Sequence, residues 1–178
     1  MKSITTFFLA PLVCMLVAQP TIAQQNSTNN FKSQFLGHFN YASRVLQLAK
    51  EMPADTYDWR PMESVSSVQE VYTHIARYNF MYLENSLGIP APEDVNVDQI
   101  ESITGKDEVV AILERSISHL QQAVKQMPES KLTASTELYG RKVNGQAVLM
   151  QLLTHLSEHV GQSIAYARMN EVVPPWNQ

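Results

Sequence analysis

Cysteine is nearly absent from this sequence. Cys14 is the one cysteine among 178 residues, and it lies in an N-terminal segment with the features of a secretory signal. A mature chain without that segment has no thiol, which excludes a disulfide framework, a cysteine nucleophile and a cysteine metal ligand. Any metal site must therefore be built from nitrogen and oxygen atoms.

Basic residues are few and scattered. The chain has 13 Lys and Arg residues against 17 Asp and Glu residues, which gives a formal charge of -4. Because a polyanion is attracted by a clustered basic surface, we expect no nucleic acid partner. The hydrophobic content of 44% predicts a single globular domain with a core of its own.

Long hydrophobic runs are also missing. The apolar stretch from Phe7 to Ala18 is interrupted by Pro11 and is shorter than the about 20 residues that span a bilayer. Lys2 precedes this stretch, and Thr21-Ile22-Ala23 offers small residues for cleavage. The pattern predicts a signal peptide over residues 1–23, a secreted or periplasmic protein, and no stable membrane anchor after cleavage.

The remaining chain shows helical periodicity and no convincing strand alternation. The predicted helices are Phe31 to about Met52, Ser67 to Gly88, about Lys106 to Met127, and about Val143 to Asn170. A polar linker is expected over residues 24–30, and one domain over residues 31–178. The connection from Ile89 to Gly105 is long enough to cross from one end of a bundle to the other. We expect an all-α fold, a four-helix bundle with a long crossover between its second and third helices.

The motif His155-Leu156-Ser157-Glu158-His159 places two histidines one helical turn apart, so both rings can turn a nitrogen toward one point. Both histidines occupy inward positions of the fourth predicted helix. A shared metal ion would satisfy two buried imidazoles at once. On this pair alone, core histidines bonded to carboxylates or waters are an equally good interpretation.

A third histidine, His74, lies on the inward stripe of the second predicted helix, between Val71 and Tyr78. Three histidine ligands leave coordination positions open, as in catalytic or ligand-binding metal sites. His119 is expected at the bundle margin or in solvent. His38 is expected near the core or a pocket wall, and neither residue is expected to bind the metal.

Several segments resemble the DinB family, also called the YfiT-like metal-dependent hydrolases. The resemblance is carried by residues 67–76 (SVQEVYTHIA), 153–162 (LTHLSEHVGQ) and 167–170 (ARMN), with the turn at 59–61 (WRP). It spans about Phe31 to Trp176.

The resemblance implies a four-helix bundle that holds one divalent ion with one histidine of the second helix and two of the fourth. Those positions match His74, His155 and His159, with zinc or nickel as the favoured ion and iron or manganese as alternatives. Many members of the family carry Arg where this chain has Val160, which could alter the pocket or a dimer surface. A homodimer is compatible with the resemblance.

One predicted function is a metal-dependent hydrolase, in which the ion acts as a Lewis acid or generates a hydroxide nucleophile. Glu158 is the candidate base, and Gln162 is a candidate to orient water or substrate. Glu158 points about 100 degrees around the helix from His159, so a solvated carboxylate is an equally good interpretation. The sequence identifies no small-molecule substrate.

Other functions remain open. The resemblance also allows a thiol-dependent S-transferase, which export disfavours because low-molecular-weight thiols are kept chiefly in the cytosol. A non-enzymatic metal or small-molecule binding protein is equally compatible with the residues. The inverted zincin proteases share the His-x-x-Glu-His spacing, but they need a further carboxylate ligand well downstream. Glu171 is the one acidic residue after His159 and ends the helix, which excludes that class.

Overall fold

The computed structural model describes residues 22–178. The predicted signal peptide lies almost entirely outside this range, and its cleavage stays a prediction. The first half of the chain contains α1 (Ile22–Ala42), α2 (Val45–Glu51), a 3₁₀ turn (Ala54–Thr56), α3 (Val68–Met81) and a π turn (Tyr82–Ser86). A short 3₁₀ helix (Val97–Ser102), named the crossover helix below, lies between α3 and α4 (Lys106–Gln126). The chain ends with α5 (Glu129–Thr133), β1 (Ser135–Leu138), β2 (Arg141–Asn144), α6 (Gly145–Met169) and a last 3₁₀ turn (Pro175–Asn177). Among residues 22–178, no helix has the length and apolar content needed to cross a membrane.

The connection between α3 and α4 is a crossover, as predicted. Near the start of α3, the Gln69 side chain accepts a hydrogen bond from Gly105, just before α4. Near its end, Asn79 donates to Ser116, well inside α4. Since both helices advance in the same direction, they are parallel, and the chain between them must return along the bundle.

The hydrophobic core lies between the four long segments, α1 with α2, α3, α4 and α6. Fully buried side chains come from every one of them: Phe39, Leu48, Ile75, Phe80, Leu113, Leu120, Leu149 and Leu156. Each such side chain contributes roughly 1.5–3 kcal/mol through its removal from water. The all-α bundle is therefore confirmed, and its helices are held by one continuous core.

The first predicted helix differs from the structure at two places. Helix α1 begins at Ile22, so it includes residues 24–30, where the sequence predicts a polar linker. No proline or glycine interrupts the chain between Ile22 and Leu36, which leaves the helix free to extend. The predicted helix also breaks after Ala42, because the Ser43 hydroxyl bonds back to the Phe39 carbonyl at 2.7 Å and competes with regular helical bonding.

Helix α3 begins where the sequence predicts. Ser67 accepts a hydrogen bond from the backbone of Glu70, and the Glu70 carboxylate accepts one from the Ser67 backbone, which completes a capping box. Its end is less regular, because the α-helical pattern stops at Met81 and continues as the π turn. Gly88, at φ 60, ends the segment at the predicted residue.

The prediction that no strand exists was wrong for a short hairpin. Strands β1 and β2 pair antiparallel around a two-residue turn formed by Tyr139 and Gly140. Both turn residues have positive φ, 52 and 71, as a tight hairpin turn requires. Helix α6 consequently begins at Gly145, after the predicted Val143. A Cβ on Gly145 would lie 2.3 Å from the Lys131 carbonyl oxygen, so this close approach requires glycine.

Candidate metal centre

The three predicted histidines lie together between α3 and α6. The Nε2 atoms of His74 and His155 are 3.1 Å apart. The His159 ring centroid lies 4.6 Å from that of His155 and 5.0 Å from that of His74. One nitrogen from each ring can be chosen so that all three lie within 4.8 Å of one another. The three side chains therefore form a cluster that could hold a metal ion.

These distances fit a shared ion. Two imidazole nitrogens that bind one zinc ion at about 2.0–2.1 Å, with an angle near the tetrahedral value, lie about 3.3–3.4 Å apart. The Nε2 atoms of His74 and His155, at 3.1 Å, are closer than this by a few tenths of an ångström, a shift that a small ring movement supplies. Three imidazoles suit first-row divalent ions and leave coordination positions open.

The histidines meet because α6 runs antiparallel to α3. The Tyr166 hydroxyl donates to the Ser66 carbonyl just before α3, whereas His155, earlier in α6, stacks on Tyr78 well inside α3. Within α6, the spacing of four residues brings His155 and His159 to the same face, toward His74.

Burial keeps the two α6 histidines neutral. Removal from water, reinforced by the nearby His159 and His74 rings, lowers the pKa of His155 to about 3. Burial also lowers the pKa of His159, although its hydrogen bond to Gln162 acts in the opposite direction. Since metal ligation needs an unprotonated nitrogen, both rings are in the binding form at neutral pH.

The crossover helix contributes a carboxylate that fixes the orientation of His74. The Nδ1 atom of His74 is 2.8 Å from Oε1 of Glu101. A carboxylate accepts hydrogen bonds, so Nδ1 carries the proton and Nε2 presents its lone pair to the cluster. The other oxygen of Glu101 lies 3.8 Å from the Arg77 guanidinium, one turn along α3.

A chain of hydrogen bonds orients His159. Tyr166 donates its hydroxyl proton to the Ser66 carbonyl and accepts a hydrogen bond from the Gln162 amide nitrogen, both at 3.0 Å. The amide oxygen of Gln162 must then face Nδ1 of His159, at 2.8 Å. Nδ1 is therefore the donor, and Nε2 of His159 is unprotonated in this neutral ring, as it is in His74.

Aromatic rings close one side of the cluster. The ring of Tyr78 lies 4.6 Å from that of His155 and 4.3 Å from that of His74. Tyr82 lies behind it, 5.9 Å from His155, and its hydroxyl bonds to the hydroxyl of Tyr139 at the hairpin tip. Burial raises the pKa of Tyr82, so its phenol is neutral at physiological pH. This wall shields the imidazoles from water on the hairpin side.

The two candidate catalytic residues lie beside the cluster in different settings. Glu158 is exposed on α6. Gln162 is half-buried and its amide is engaged with His159 and Tyr166, so it is placed to orient a ring. Their roles in turnover stay predictions.

The other two histidines lie apart from the cluster. His38 is exposed, in contrast to the expectation that it lies near the core or a pocket wall, because it projects from the outer face of α1 while Phe39 faces inward. His119 is partly buried at the edge of α4, where its ring packs on Phe80 at 5.3 Å. Its position at the bundle margin agrees with the prediction.

Several residues around the histidines were not identified from the sequence. Tyr166 could have been found, since it follows Gln162 by one helical turn on the inward face. Glu101 and Arg77 had no local signal. Glu101 belongs to the crossover, and only the return of the chain along α3 brings it to His74.

Known proteins are similar to this chain over most of its length. Residues 41–163 match the family model of the DinB superfamily. The uncharacterized protein YjoA of Bacillus subtilis strain 168 is 26% identical over 142 residues, which cover 79% of this chain and 89% of that protein.

Two solved structures share the fold. A DinB-like protein from Bacillus cereus ATCC 10987 has a TM-score of 0.60 at 17% identity and covers 79% of this chain and 93% of that one. The DinB-like protein YjoA from Bacillus subtilis has a TM-score of 0.54 at 23% identity and covers 84% of this chain and 97% of that one. Because the matched residues 41–163 make up more than half of the sequence and include all three histidines, this chain belongs to the DinB superfamily.

Proposed function

We propose that this protein is exported, binds one divalent ion through His74, His155 and His159, and hydrolyses a small-molecule substrate. The observation that carries the proposal is the geometry of the three imidazoles, each of which has a nitrogen within 4.8 Å of the others, while Nδ1 of His74 and of His159 bonds to Glu101 and Gln162. A zinc or nickel ion bound there would supply Lewis acidity and activate water for attack on a carbonyl or related group.

The chain's own residues would bind and orient the reactants. The side chain of His74 is 33% exposed, whereas His155 is 8% exposed, so the cluster opens to solvent beside His74. Tyr78, one turn along α3 from His74, packs on the His74 and His155 rings and gives a substrate an aromatic surface to pack on. Gln162 holds the His159 ring in a single orientation.

Glu158, which is exposed on α6, is proposed as the proton acceptor. A general base must come within hydrogen-bond reach of the proton it removes. Because Glu158 lies beside His159 in sequence, a rotamer change on the surface of α6 could bring its carboxylate to the mouth of the cluster.

The exported protein should be purified and analysed for metal content. Ester, amide and thiol-transfer substrates should then be screened with the metal present and after chelation. We expect about one ion per chain and metal-dependent ester or amide hydrolysis. Glu158→Gln and Gln162→Ala should lower turnover while the ion is retained, with the exposed Glu137→Gln as the matched control. Full turnover in both site variants would exclude these two roles.

A non-enzymatic binding protein is the second candidate. The observation that favours it is the exposure of Glu158 together with the engagement of the Gln162 amide by His159 and Tyr166. Stoichiometric metal with no turnover in any substrate class would support this function over hydrolysis. Thiol transfer would be supported if only the thiol-dependent reaction proceeded.

Export is a separate part of the proposal. It rests on Lys2, the apolar stretch and the small residues before Gln24. Mass spectrometry of the exported product should find Gln24 at its N-terminus. A membrane-bound product that retains Met1 would contradict it.

A further inference from the structure

We propose that Glu101 couples the crossover to the metal centre: it is a positioning residue for His74, and metal binding stabilises the docking of the crossover helix on α3. The inference rests on the proposed metal site. It concerns a residue outside the histidine cluster and a segment that supplies none of the three ligands.

Glu101 joins two residues of one helix face. One carboxylate oxygen is 2.8 Å from Nδ1 of His74, and the other lies 3.8 Å from the guanidinium of Arg77. His74 and Arg77 are three residues apart on α3, so they are neighbours on its surface. The crossover helix therefore contacts α3 through a carboxylate that bridges a candidate metal ligand and a cation.

The rest of the crossover places this carboxylate. Ile100, next to Glu101, is buried in the core. The crossover is also held before and after this point, by an ion pair between Asp94 and Arg115 and by the hydrogen bond from Gly105 to Gln69. With these anchors made, Glu101 comes within hydrogen-bond distance of His74.

The docking is incomplete, which allows it to respond to the metal. A cavity of about 620 Å³ lies between the crossover and α3, and its wall includes Arg77, Met81 and Asn85. The Glu101 and Arg77 side chains are 43% and 26% exposed, so water screens their attraction. Ile100 is the one buried residue of the crossover helix, so local opening of this helix exposes little apolar surface.

A metal ion on Nε2 would strengthen the contact between Glu101 and His74. Coordination draws electron density from the imidazole, so its Nδ1–H becomes a better donor to a carboxylate. Linkage makes the effect reciprocal. The factor by which metal binding raises the equilibrium constant for docking of the crossover helix is also the factor by which docking raises the metal affinity. Loss of a residue that hydrogen-bonds to a metal ligand, without binding the metal itself, typically lowers metal affinity by about 10- to 100-fold.

The test uses the full mature chain with Zn²⁺, whose affinity is measured by competition with a chromophoric chelator. Hydrogen exchange of peptides covering residues 97–103 is followed in parallel, with and without Zn²⁺. In the wild type we expect Zn²⁺ to slow exchange in these peptides. Glu101→Ala should weaken Zn²⁺ binding by about 10- to 100-fold and abolish the metal-induced protection.

Two further variants separate coupling from a merely structural role. Glu101→Gln keeps the shape and one acceptor oxygen but loses the charge, and it should recover part of the affinity. Asp98, the site of the control variant Asp98→Ala, lies on the same crossover helix and the same cavity wall but makes no hydrogen bond or ion pair with a histidine among the described residues. This variant should leave both the affinity and the metal-induced protection at wild-type values.

The inference would be overturned if Glu101→Ala bound Zn²⁺ with wild-type affinity. It would also be overturned if Zn²⁺ left hydrogen exchange of residues 97–103 unchanged in the wild type. Either result would leave the metal site intact. If Glu101→Ala does not fold, Glu101→Gln decides, and an affinity within twofold of the wild type would overturn it. A wild-type chain that takes up no Zn²⁺, Ni²⁺, Fe²⁺ or Mn²⁺ would overturn both proposals, which distinguishes that failure from the first.

Discussion

The two helices that supply the histidines support them in different ways. On α6, His155, His159, Gln162 and Tyr166 follow one another at helical spacing, so folding of one helix arranges both rings and most of the hydrogen bonds behind them. On α3, His74 depends on Glu101, which is 27 residues away in sequence. The α6 side is therefore set by local structure, and the α3 side by tertiary docking.

Solvent exposure separates His155 from the other two histidines. His155 is 8% exposed and has a strongly lowered pKa, whereas His159 is half-buried and the His74 side chain is 33% exposed. Buried ligands with fixed rotamers keep their geometry when the site is empty. The more exposed side can adapt, and it is the side from which an ion or a substrate can enter.

The largest expected effect comes from removing a ligand on either side. His155→Ala and His74→Ala should each weaken metal binding by more than the about 100-fold expected from the loss of an outer partner. The bound ion contributes about 4 kcal/mol when free metal is about a thousand times its dissociation constant, so the melting temperature in metal should fall toward that of the chelated protein.

Metal titration and thermal melts with and without a chelator measure both quantities. His119→Ala is the control, because that ring lies outside the cluster and should leave the stoichiometry unchanged. If His74→Ala alone kept wild-type affinity, the ion would belong to α6, and the two-helix site would be wrong.

Acidification should lower the free energy of unfolding of the metal-free protein, because His155 is buried as a neutral ring. The folded pKa of His155, about 3, lies below its unfolded value, so the unfolded chain binds the proton first. The stability that comes from the neutral ring is complete above the unfolded pKa, about 6.5, and is lost progressively as the pH falls toward the folded pKa. Between pH 7 and pH 5 this loss amounts to about 2 kcal/mol.

Urea unfolding of the chelated protein at the two pH values measures this loss, and His155→Gln provides the comparison. The variant should lose about 2 kcal/mol less than the wild type over the same interval. An equal loss in both proteins would mean that His155 is not held neutral by burial.

The division between local and tertiary support also explains what the sequence could predict. The helical periodicity, the Ser67 capping box and the histidine pair on α6 are local patterns, and the structure contains all of them. His74 could be predicted because its helix has a clear inward stripe. Each of these features depends on spacing within a single element.

The features that were missed depend on contacts between distant segments or on short elements with weak patterns. Glu101 reaches His74 only after the crossover has docked, and no spacing in the sequence encodes that contact. The hairpin was missed because its strands have four residues each, and only Leu138 among them is buried, so the alternation is faint. The break at Ser43 follows from one side-chain hydrogen bond.

A smaller effect is expected from the hydrogen-bond chain behind His159. Tyr166→Phe removes the hydroxyl that joins Gln162 to the Ser66 carbonyl. The Gln162 amide then loses a hydrogen-bond acceptor, and the Ser66 carbonyl loses a donor. Loss of a buried hydrogen bond costs about 1–3 kcal/mol, and we expect the lower end because Gln162 is half-buried.

Denaturant unfolding should show this loss, and Zn²⁺ affinity should fall because the Gln162 amide is free to turn. Hydrogen exchange in the crossover should keep its metal response, since the α6 side does not contact it through this chain. A loss of that response in Tyr166→Phe would show that the two sides are coupled and would remove the distinction between them.

The smallest expected effects on stability come from the residues that cap the N-termini of the two ligand-bearing helices. Ser67 is fully buried and is part of a reciprocal capping box, whereas Asn144 caps α6 from an exposed position, where its side-chain oxygen accepts a single hydrogen bond from the Ala147 backbone. Loss of an N-cap side chain costs about 0.5–2 kcal/mol. We therefore expect a loss of about 1 kcal/mol or more for Ser67→Ala and about 0.5 kcal/mol for Asn144→Ala, both measured by urea unfolding of the chelated protein.

Zn²⁺ affinity should be unchanged in both variants, because each histidine lies more than one helical turn from its cap. If Asn144→Ala were the more destabilising of the two, the start of α6 would depend on its cap more than the start of α3 does, and α6 could not be the self-sufficient side of the site.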